Sequence, residues 1–534
     1  MSFPKFLRAL RIIRLLMLAG LLALAPACGG DDDDDSSDET STESDDDTSA
    51  TDDDDDTSVD DDTGDDDVCP DGEFEPLSEL RTDGRYFKDA YDRVVLLRGI
   101  NTGGRAKVPP FVPWDERDGF DDDLTAYYDF LEDWGVNVIR LCVFWEAIEP
   151  TRGTYDESYL AKIEAQVDEA ASRGIYVFID FHQDIYSRIL GGSGAPAWAL
   201  PNPEMEPIPA DQFLWVFRYN TDPLVLDAFD HFWTNEDGVR DAYVAMAKVY
   251  AERFADRTHV FAFDLMNEPS AGGETGEDLG AWYEDYLQPL YEEMTDAIRG
   301  EAPRYVMFAG PTWQEALDPE EADLTKPDIE NMAFAPHYYD PIVTAFGTYN
   351  GKPERTTKGL TAWEAVGDEF GTPVIVTEFG TLSLLENGTA GAYLTDEYVV
   401  FDDLFLSGTY WTHEVAAERW NKENAGLLNP DWTERTDYTN AFARPYPKAT
   451  SGVPIDFHYD AGTHEIAYTY TTADTHGAPT VIALPPRRYP FAPSVSASFG
   501  EGEYHPETNE VWIYDRVCER GADYGGTQTL TITP

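Results

Sequence analysis

The sequence has few basic residues. It contains 37 lysines and arginines against 104 aspartates and glutamates among 534 residues, and its formal net charge at pH 7 is −67. A protein that binds nucleic acid needs clustered positive charge, because phosphates repel an acidic surface. We therefore expect no nucleic-acid partner.

Cysteine is also scarce, since the chain has four. Cys142 lies inside an apolar strand pattern, which is typical of a core thiol. Cys69 and Cys518 lie near the two ends of the predicted folded part, so a disulfide between them is a hypothesis for which the sequence gives no geometry. The histidines lack metal-ligand spacing such as His-Glu-x-x-His, and we expect neither a metal nor another cofactor.

The N-terminal segment contains only a short apolar run. Basic residues precede Leu15–Ala25, a run too short to span a bilayer comfortably, and Pro26-Ala27-Cys28 follows it. This order is typical of a secretory signal, and a small residue before cysteine resembles a bacterial lipoprotein processing site. Residues 1–28 are therefore predicted to be a lipoprotein-type signal peptide with lipidation at Cys28; simple cleavage and release is the alternative.

Residues 29–70 consist mainly of Asp, Ser and Thr. A segment of this composition cannot bury apolar surface, and its charges repel one another, so it is predicted to be an acidic disordered tether. Together with the signal, it predicts a secreted or cell-surface lipoprotein of a bacterium, at the outer membrane or outside the cell.

Strand and helix patterns alternate from Gly84 onward. Eight apolar strands are predicted at Val94–Asn101, Asn137–Trp145, Ile175–Asp184, Val260–Pro269, Arg304–Gly310, Met332–Tyr339, Thr372–Gly380 and Gly408–Glu414. Eight strand–helix units indicate the α/β class and a (β/α)₈ TIM barrel, here over residues 71–445, with functional groups at the carboxyl ends of the strands. Short alternating runs afterwards predict an antiparallel β-sandwich domain over residues 446–534.

Two of the predicted strands end in a glutamate. One emerges from an apolar run into Asn267-Glu268-Pro269, where the proline stops the ladder, and the other ends at Glu378. Glycoside hydrolysis needs two carboxyl groups, one as proton donor and one as nucleophile or base. The pair therefore predicts a glycosidase.

Seven further residues stand at predicted strand exits and are not explained by apolar packing. They are Arg140, His182, Asp184, Asn267, His337, Tyr339 and Trp411. Singly, each has an ordinary structural interpretation, such as an ion-pair partner, a rim histidine or a core tryptophan. Together they predict one site, in which Arg140 favours the ionised form of Glu378 and Tyr339 donates a hydrogen bond to it.

This set resembles the active site of glycoside hydrolase family 5, whose members are retaining (β/α)₈ enzymes. Three motifs are similar to its endoglycoceramidase branch, which also has a C-terminal β-sandwich: Asp180–Ser187, Gly194–Trp198 and Arg444–Pro447. The resemblance covers about residues 75–534. It implies cleavage of the β-glycosidic bond between the glycan and the ceramide of glycosphingolipids.

The resemblance also implies roles for individual residues. Glu268 would be the acid/base and Glu378 the nucleophile, and Asn267 would hold the 2-hydroxyl of the sugar at the cleavage point. Its other hydroxyls would be bound by Lys107, His182 and Asp184. The stretch 101–107 is richer in glycine than the branch pattern, a departure that bears on Lys107.

Two alternatives remain open from the sequence. One is another family 5 β-glycosidase, acting on glucosylceramide, a steryl glucoside or a soluble β-glucan; the other is a non-catalytic glycolipid-binding protein. The expected partners are a glycosphingolipid and a lipid or membrane surface, and the chain is expected to be a monomer. A long loop is predicted at roughly His182–Glu236. Its part from Gly191 to Trp233 is predicted to bind the apolar tail through six large aromatic residues, which are Trp198, Phe213, Trp215, Phe217, Phe232 and Trp233.

Overall fold

The computed structural model describes residues 74–113, 124–210, 215–322, 324–381, 389–414, 424–515 and 526–534. The predicted signal peptide and tether, with Cys28 and Cys69, lie outside these residues, as do Phe213 and Cys518. No helix within the described ranges combines the length and the apolar character needed to cross a membrane.

A curled parallel sheet forms the centre of the protein, and the predicted TIM barrel is confirmed. Its strands, in chain order, are β4 (Arg98–Asn101), β5 (Val138–Val143), β6 (Tyr176–Phe181), β7 (Val260–Asp264), β8 (Val306–Ala309), β9 (Met332–Phe334), β10 (His337–Tyr338), β11 (Ile375–Phe379) and β12 (Ser407–Tyr410). All eight predicted strands are present, but of the first only Arg98–Asn101 belongs to the barrel, because Val94–Val95 pairs in another sheet. The sixth is divided into β9 and β10 at Ala335-Pro336, since proline cannot donate to a ladder. These strands are buried along their length, as a sheet covered on both faces requires.

Helices alternate with the barrel strands. They are Leu124–Trp134, Trp145–Ile148, Glu157–Ser172, Arg218–Thr221, Pro223–Trp233, Val239–Arg253, Leu279–Trp282, Gln288–Arg299, Trp313–Ala316, Pro341–Phe346, Glu354–Phe370, Ala390–Asp403 and Thr436–Phe442, with a π-helical turn at Tyr283–Leu287. Their apolar stripes face the sheet: Leu124–Trp134, for example, buries Tyr127, Leu131 and Trp134.

The prediction of one long loop over His182–Glu236 was wrong in its second half. Helices occupy Arg218–Thr221 and Pro223–Trp233, and the Asp222 side chain caps the latter by accepting from Leu224 N. Aspartate followed by proline is a strong helix start, but the many glycines and prolines upstream concealed it. Phe232 and Trp233 are consequently core residues, each 1% exposed.

Two antiparallel sheets form the predicted β-sandwich. One has the order β1-β2-β3-β13-β16-β19-β18 and the other β14-β15-β20-β17. Side chains of both pack into one core that includes Tyr468, Ile482, Val511 and Leu530. The additional strands are β1 (Arg81–Asp83), β2 (Tyr86–Lys88), β3 (Val94–Val95), β13 (Tyr446–Thr450), β14 (Gly452–Tyr459), β15 (Ile466–Thr472), β16 (Thr480–Ala483), β17 (Ser494–Ala497), β18 (Glu501–His505), β19 (Glu510–Tyr514) and β20 (Thr527–Thr533).

Three strands that precede the barrel in sequence belong to the larger of these sheets. Val95 of β3 pairs with Ala449 of β13, so the start of the folded chain is joined to its C-terminal part. Phe87 of β2 packs against Phe261 of β7 and Phe308 of β8, at ring distances of 6.2 and 6.0 Å. The hairpin β1–β2 therefore closes the amino-terminal end of the barrel, which the sequence patterns did not indicate.

Candidate active site

Glu378 lies near the carboxyl end of β11 and is held by two donors. Arg140 Nη1 is 2.6 Å from its Oε1, and the Tyr339 hydroxyl donates to its Oε2 at 3.0 Å. Burial alone would raise the pKa of this carboxyl, but the charges of His337 and Arg140 outweigh burial and lower the pKa below its ordinary value. The carboxylate is therefore kept ionised and fixed in direction, as a nucleophile requires.

Arg140, on β5, is the most heavily bonded side chain of the site. Its Nε and Nη2 donate to the same oxygen of Asp264 at 2.9 and 2.8 Å, and Nη2 is 3.0 Å from Asp180. Nη2 also donates to Asn267 at 2.8 Å. These bonds leave Nη1 directed at Glu378. Burial lowers the pKa of Arg140, but the surrounding carboxylates raise it well above its ordinary value, so the guanidinium stays charged.

Glu268 stands on the corner that follows β7. Its backbone has a φ of 41°, in the left-handed region, which turns the side chain out of the strand direction. His337 Nδ1 is 3.0 Å from Glu268 Oε1 and 3.5 Å from Glu378 Oε2, so one imidazole nitrogen faces both carboxylates. An oxygen of Glu268 lies within 4.8 Å of an oxygen of Glu378. Retaining glycosidases have carboxyl groups about 5–5.5 Å apart and inverting ones about 6.5–9.5 Å apart, and this close approach of two oxygens agrees with the retaining arrangement.

Gln183 fixes the corner that presents Glu268. Its Nε2 donates to the backbone carbonyls of Asn267 and Glu268 at 2.8 and 2.9 Å. The backbone carbonyl of Gln183 accepts from Asn267 Nδ2 at 2.9 Å. The side chain of Asn267 is thereby held between Gln183 and Arg140. An amide nitrogen has two hydrogens, and Gln183 accepts one of them.

A second polar group lies beside this pair, at the end of β6. Lys107 Nζ is 3.1 Å from Asp184 Oδ2, and His182 lies between Asp180 at 2.7 Å and Asp184 at 3.3 Å. Burial alone would lower the pKa of His182, yet these carboxylates raise it well above its ordinary value. Conversely, Lys107 and His182 lower the pKa of Asp184 against the effect of burial. The group thus presents fixed charges of both signs.

Trp411 forms the aromatic wall of this group. Its ring stacks on His182 with 5.4 Å between centroids and an angle of 8°, and Lys107 Nζ lies 4.4 Å from the ring. Polar donors and acceptors beside an aromatic face suit a sugar, which has hydroxyls at its edge and an apolar face. All ten predicted site residues are therefore joined in one contact network, with Asp180 linking His182 to Arg140.

The unusual glycines before Lys107 have a steric reason. A Cβ on Gly103 would lie 2.1 Å from the Trp411 ring, and one on Gly104, whose φ is +60°, would lie 1.7 Å from the Glu414 carboxylate. The 3₁₀ turn Gly104–Lys107 can follow this path only without side chains at these two positions. The glycines that depart from the branch pattern therefore allow Lys107 to lie close to Trp411.

Several residues of the network were not predicted. Asp264 and Asn101 support Arg140, Asp180 links it to His182, and Gln183 fixes the corner. Burial raises the pKa of Asp264 to about 6, even with Arg140 beside it. A signal for Asp264 existed: a single acid inside an otherwise apolar strand must have a partner, because a buried charge is costly alone.

Two groups of side chains in the described residues have potential metal ligands within 4.8 Å of one another: Cys142 with Asp180 and His182, and Glu268 with His337 and Glu378. Burial raises the pKa of the Cys142 thiol to about 12, which keeps it protonated and a poor ligand. In the second group, His337 Nδ1 already bridges the two carboxylates, and Arg140 supplies a cation to Glu378. Hydrogen bonds and ion pairs account for both groups.

Comparison with known families identifies two regions of the chain. The family described as Cellulase (glycosyl hydrolase family 5) matches residues 89–414, and the glycoside hydrolase family 5 C-terminal domain matches residues 444–532. The first covers the barrel, including both glutamates, and the second covers the strands of the sandwich that follow the barrel.

Individual relatives are similar over most of their length. Endoglycoceramidase I of Rhodococcus hoagii is 29% identical over 86% of this chain and 88% of its own, and an endoglycoceramidase of Cyanea nozakii is 32% identical over 74% and 81%. Among solved structures, endo-glycoceramidase II from a Rhodococcus species in complex with ganglioside GM3 superposes with a TM-score of 0.69 at 27% identity, covering 84% of this chain and 99% of that one. The same relative has also been solved as a lactosyl-enzyme intermediate.

Proposed function

The chain belongs to glycoside hydrolase family 5, and from that membership we propose that it is an endoglycoceramidase-type enzyme: a retaining hydrolase that cleaves the β-glycosidic bond between the glycan and the ceramide of glycosphingolipids. The observation that carries the proposal is the pair Glu268 and Glu378, with oxygens within 4.8 Å of each other and one imidazole between them. Two relatives named as endoglycoceramidases match 86% and 74% of the chain. A non-catalytic binder would not need this arrangement.

Two displacements make up the reaction. Glu378 attacks the anomeric carbon while Glu268 gives its proton to the ceramide oxygen, so the glycosidic bond breaks as the glycosyl-enzyme bond forms. Water then attacks the anomeric carbon, loses a proton to Glu268 and releases Glu378. His337 can interact with whichever of the two carboxylates is charged, because its Nδ1 faces both of them. Burial lowers the pKa of His337, but the charges of these carboxylates raise it above its ordinary value.

The sugar at the cleavage point would contact the second polar group. Asn267 keeps an amide hydrogen for the 2-hydroxyl, and Lys107, His182 and Asp184 offer donors and acceptors to the other hydroxyls beside Trp411. These charged side chains are already held by one another in the free protein. The site is therefore preorganised, and binding of the sugar does not have to order them.

Glu378→Gln tests the nucleophile. The variant should lose nearly all release of glycan from mixed glycosphingolipids, measured by mass spectrometry of the freed head groups. Glu397→Gln is the matched control, since Glu397 is also buried but accepts from Tyr393 on an outer helix. Equal loss in both variants, or wild-type turnover in Glu378→Gln, would contradict the assignment.

The apolar tail is proposed to lie against the part of the segment after β6 that directly precedes the helix Arg218–Thr221. Trp215 and Phe217 are half-buried there, and the Phe217 ring lies edge-on to Trp313, on the segment that follows β8, at 6.3 Å. Each buried CH₂ stabilises a complex by about 0.8 kcal/mol, so a few contacts suffice to alter affinity.

Phe217→Ser should reduce action on glycosphingolipid far more than on a soluble aryl glycoside. Phe491→Ser, at an 81% exposed position of the sandwich, is the control; equal losses on both substrates would favour a soluble β-glycoside as substrate.

We also infer that the enzyme is exported and works at a lipid surface. The support lies in the sequence, where Cys28 follows a signal-like segment and an acidic tether follows Cys28. Expression in a bacterium with radiolabelled palmitate should label the wild-type protein but not Cys28→Ser. Equal labelling of both proteins would contradict lipidation at Cys28.

A further inference from the structure

Two guanidinium groups share one carboxylate where the barrel meets the sandwich. Arg98, on β4, lies 3.1 Å from Asp402 Oδ1, and Arg444, just before β13, contacts the other oxygen of Asp402. All three side chains are less than 10% exposed. This cluster is separate from the residues around Glu378 and has no part in the reaction described above.

The cluster has more positive than negative charge. Arginine does not lose its proton in proteins, so two buried cations face at most one buried anion. Asp403 and His458 also act electrostatically on Asp402, but their side chains are exposed. Buried positive charge that is only partly compensated is unfavourable, which is the first indication that a further anion belongs here.

The hydrogen bonds of the cluster are also incomplete. Among the described residues, nothing accepts from Arg98 Nε, Arg98 Nη1 or Arg444 Nε, although all three atoms are buried. Arg98 lies over the Phe401 ring at 5.1 Å and Arg444 over Tyr459 at 5.3 Å. Aromatic faces attract the cations but leave their N–H groups, which lie in the guanidinium plane, available for an acceptor.

Arg98, Arg444 and Asp402 line a recess, part of which is open to solvent. Its other walls are mainly aromatic: Trp134, Tyr398, Phe442 and Tyr446. The Tyr446 hydroxyl is engaged, since it donates to the Gly135 carbonyl. Because a sulfate or phosphate would bring two charges and oxygens that need further donors, the recess suits a compact monovalent anion better.

We propose that this recess is a halide site, in which chloride accepts hydrogen bonds from the free N–H groups of Arg98 and Arg444. The large negative charge of the chain does not prevent this, because distant surface carboxylates are screened beyond about 8 Å at physiological ionic strength, whereas the two arginines are in contact with the ion. Chloride would neutralise the junction between β4, the helix Ala390–Asp403 and β13. It would therefore stabilise the attachment of the sandwich to the barrel rather than the chemistry.

The first test is direct. Crystals of the full chain soaked in bromide should show an anomalous peak between Arg98 and Arg444. A water-sized peak without anomalous signal would overturn the proposal, since the cluster would then be hydrated and not bound to an anion.

The second test measures affinity in solution. At constant ionic strength, replacing gluconate by chloride should raise the thermal midpoint of the full chain by roughly 2–4 °C in a saturating manner. Arg444→Met should abolish the dependence, because it removes the excess charge, and Asp402→Asn should shift saturation to lower chloride. Arg85→Met, at a 40% exposed position outside the recess, is the matched control. Equal midpoints in chloride and gluconate would refute the site even if bromide binds in the crystal.

Discussion

Replacing Tyr339 by phenylalanine tests how the nucleophile is held. The change removes only the hydroxyl, which donates to Glu378 Oε2 at 3.0 Å, and it leaves the buried ring in place. Arg140 remains on the other oxygen at 2.6 Å, so Glu378 keeps one of its two donors. A hydrogen bond to a charged group contributes about 1.5–3 kcal/mol, which corresponds to a loss of roughly 10- to 150-fold in kcat/KM if the bond is needed along the whole reaction path.

The pH profile gives an independent check with a fixed sign. The tyrosine donates to the ionised form of Glu378, so its removal disfavours that form and raises the pKa of the carboxyl. The acid limb of the profile of kcat/KM should therefore move to higher pH, measured on an aryl β-glycoside. Tyr338→Phe is the matched control, since its hydroxyl donates to the Arg355 carbonyl away from the site. Unchanged rates with an unchanged acid limb in Tyr339→Phe would refute the role given to this bond, as would an equal effect in the control.

Three further predictions follow from the same structure. Gly103→Ala should lower kcat/KM at least tenfold, because its Cβ would lie 2.1 Å from the Trp411 ring and displace the sugar-binding wall. Gly280→Ala, on the helix Leu279–Trp282, is the control and should keep activity, because its Cβ would meet only Asp278 Oδ1 at 3.5 Å, an ordinary contact; equal activity of both variants would contradict the steric argument. The first sugar product should have the β-configuration by NMR, since the carboxyl oxygens lie within 4.8 Å, and an early α-product would exclude the double displacement. Removal of residues 1–67 should leave turnover on detergent-solubilised substrate unchanged, and a large loss would show that the acidic segment takes part in catalysis.

Periodicity and strand exits were enough to predict the barrel and the position of the site. A lone polar residue at the end of an apolar run is seldom needed for packing, and Glu268, Glu378 and His182 were found in this way. Arg140 was also predicted to stand at a strand exit, but it lies inside β5. The hydrogen-bond partners of these residues were harder to predict. Asp264 and Asp180 sit within strands, and their role depends on which side chain lies opposite in the closed barrel, which follows from strand register and not from local sequence.

Local composition also misled in two places. The glycines and prolines after His182 hid the capped helix Pro223–Trp233, so two of its aromatics were assigned to a binding loop although they pack in the core. The short strands β1–β3 have too few residues for a clear alternating pattern, and their partner β13 lies at the other end of the chain. Long-range pairing of this kind cannot be read from neighbouring residues.

The pairing of β3 with β13 has a consequence for how the chain is made. The two strands are separated by roughly 350 residues, so the ribosome completes every barrel strand before the partner of β3 exists. During this interval the growing polypeptide has an unfinished sheet edge and an apolar underside at Phe87, features that invite wrong association. The export proposed above would benefit from this delay, because a polypeptide whose two ends cannot pair until the barrel has been synthesised completes its fold later.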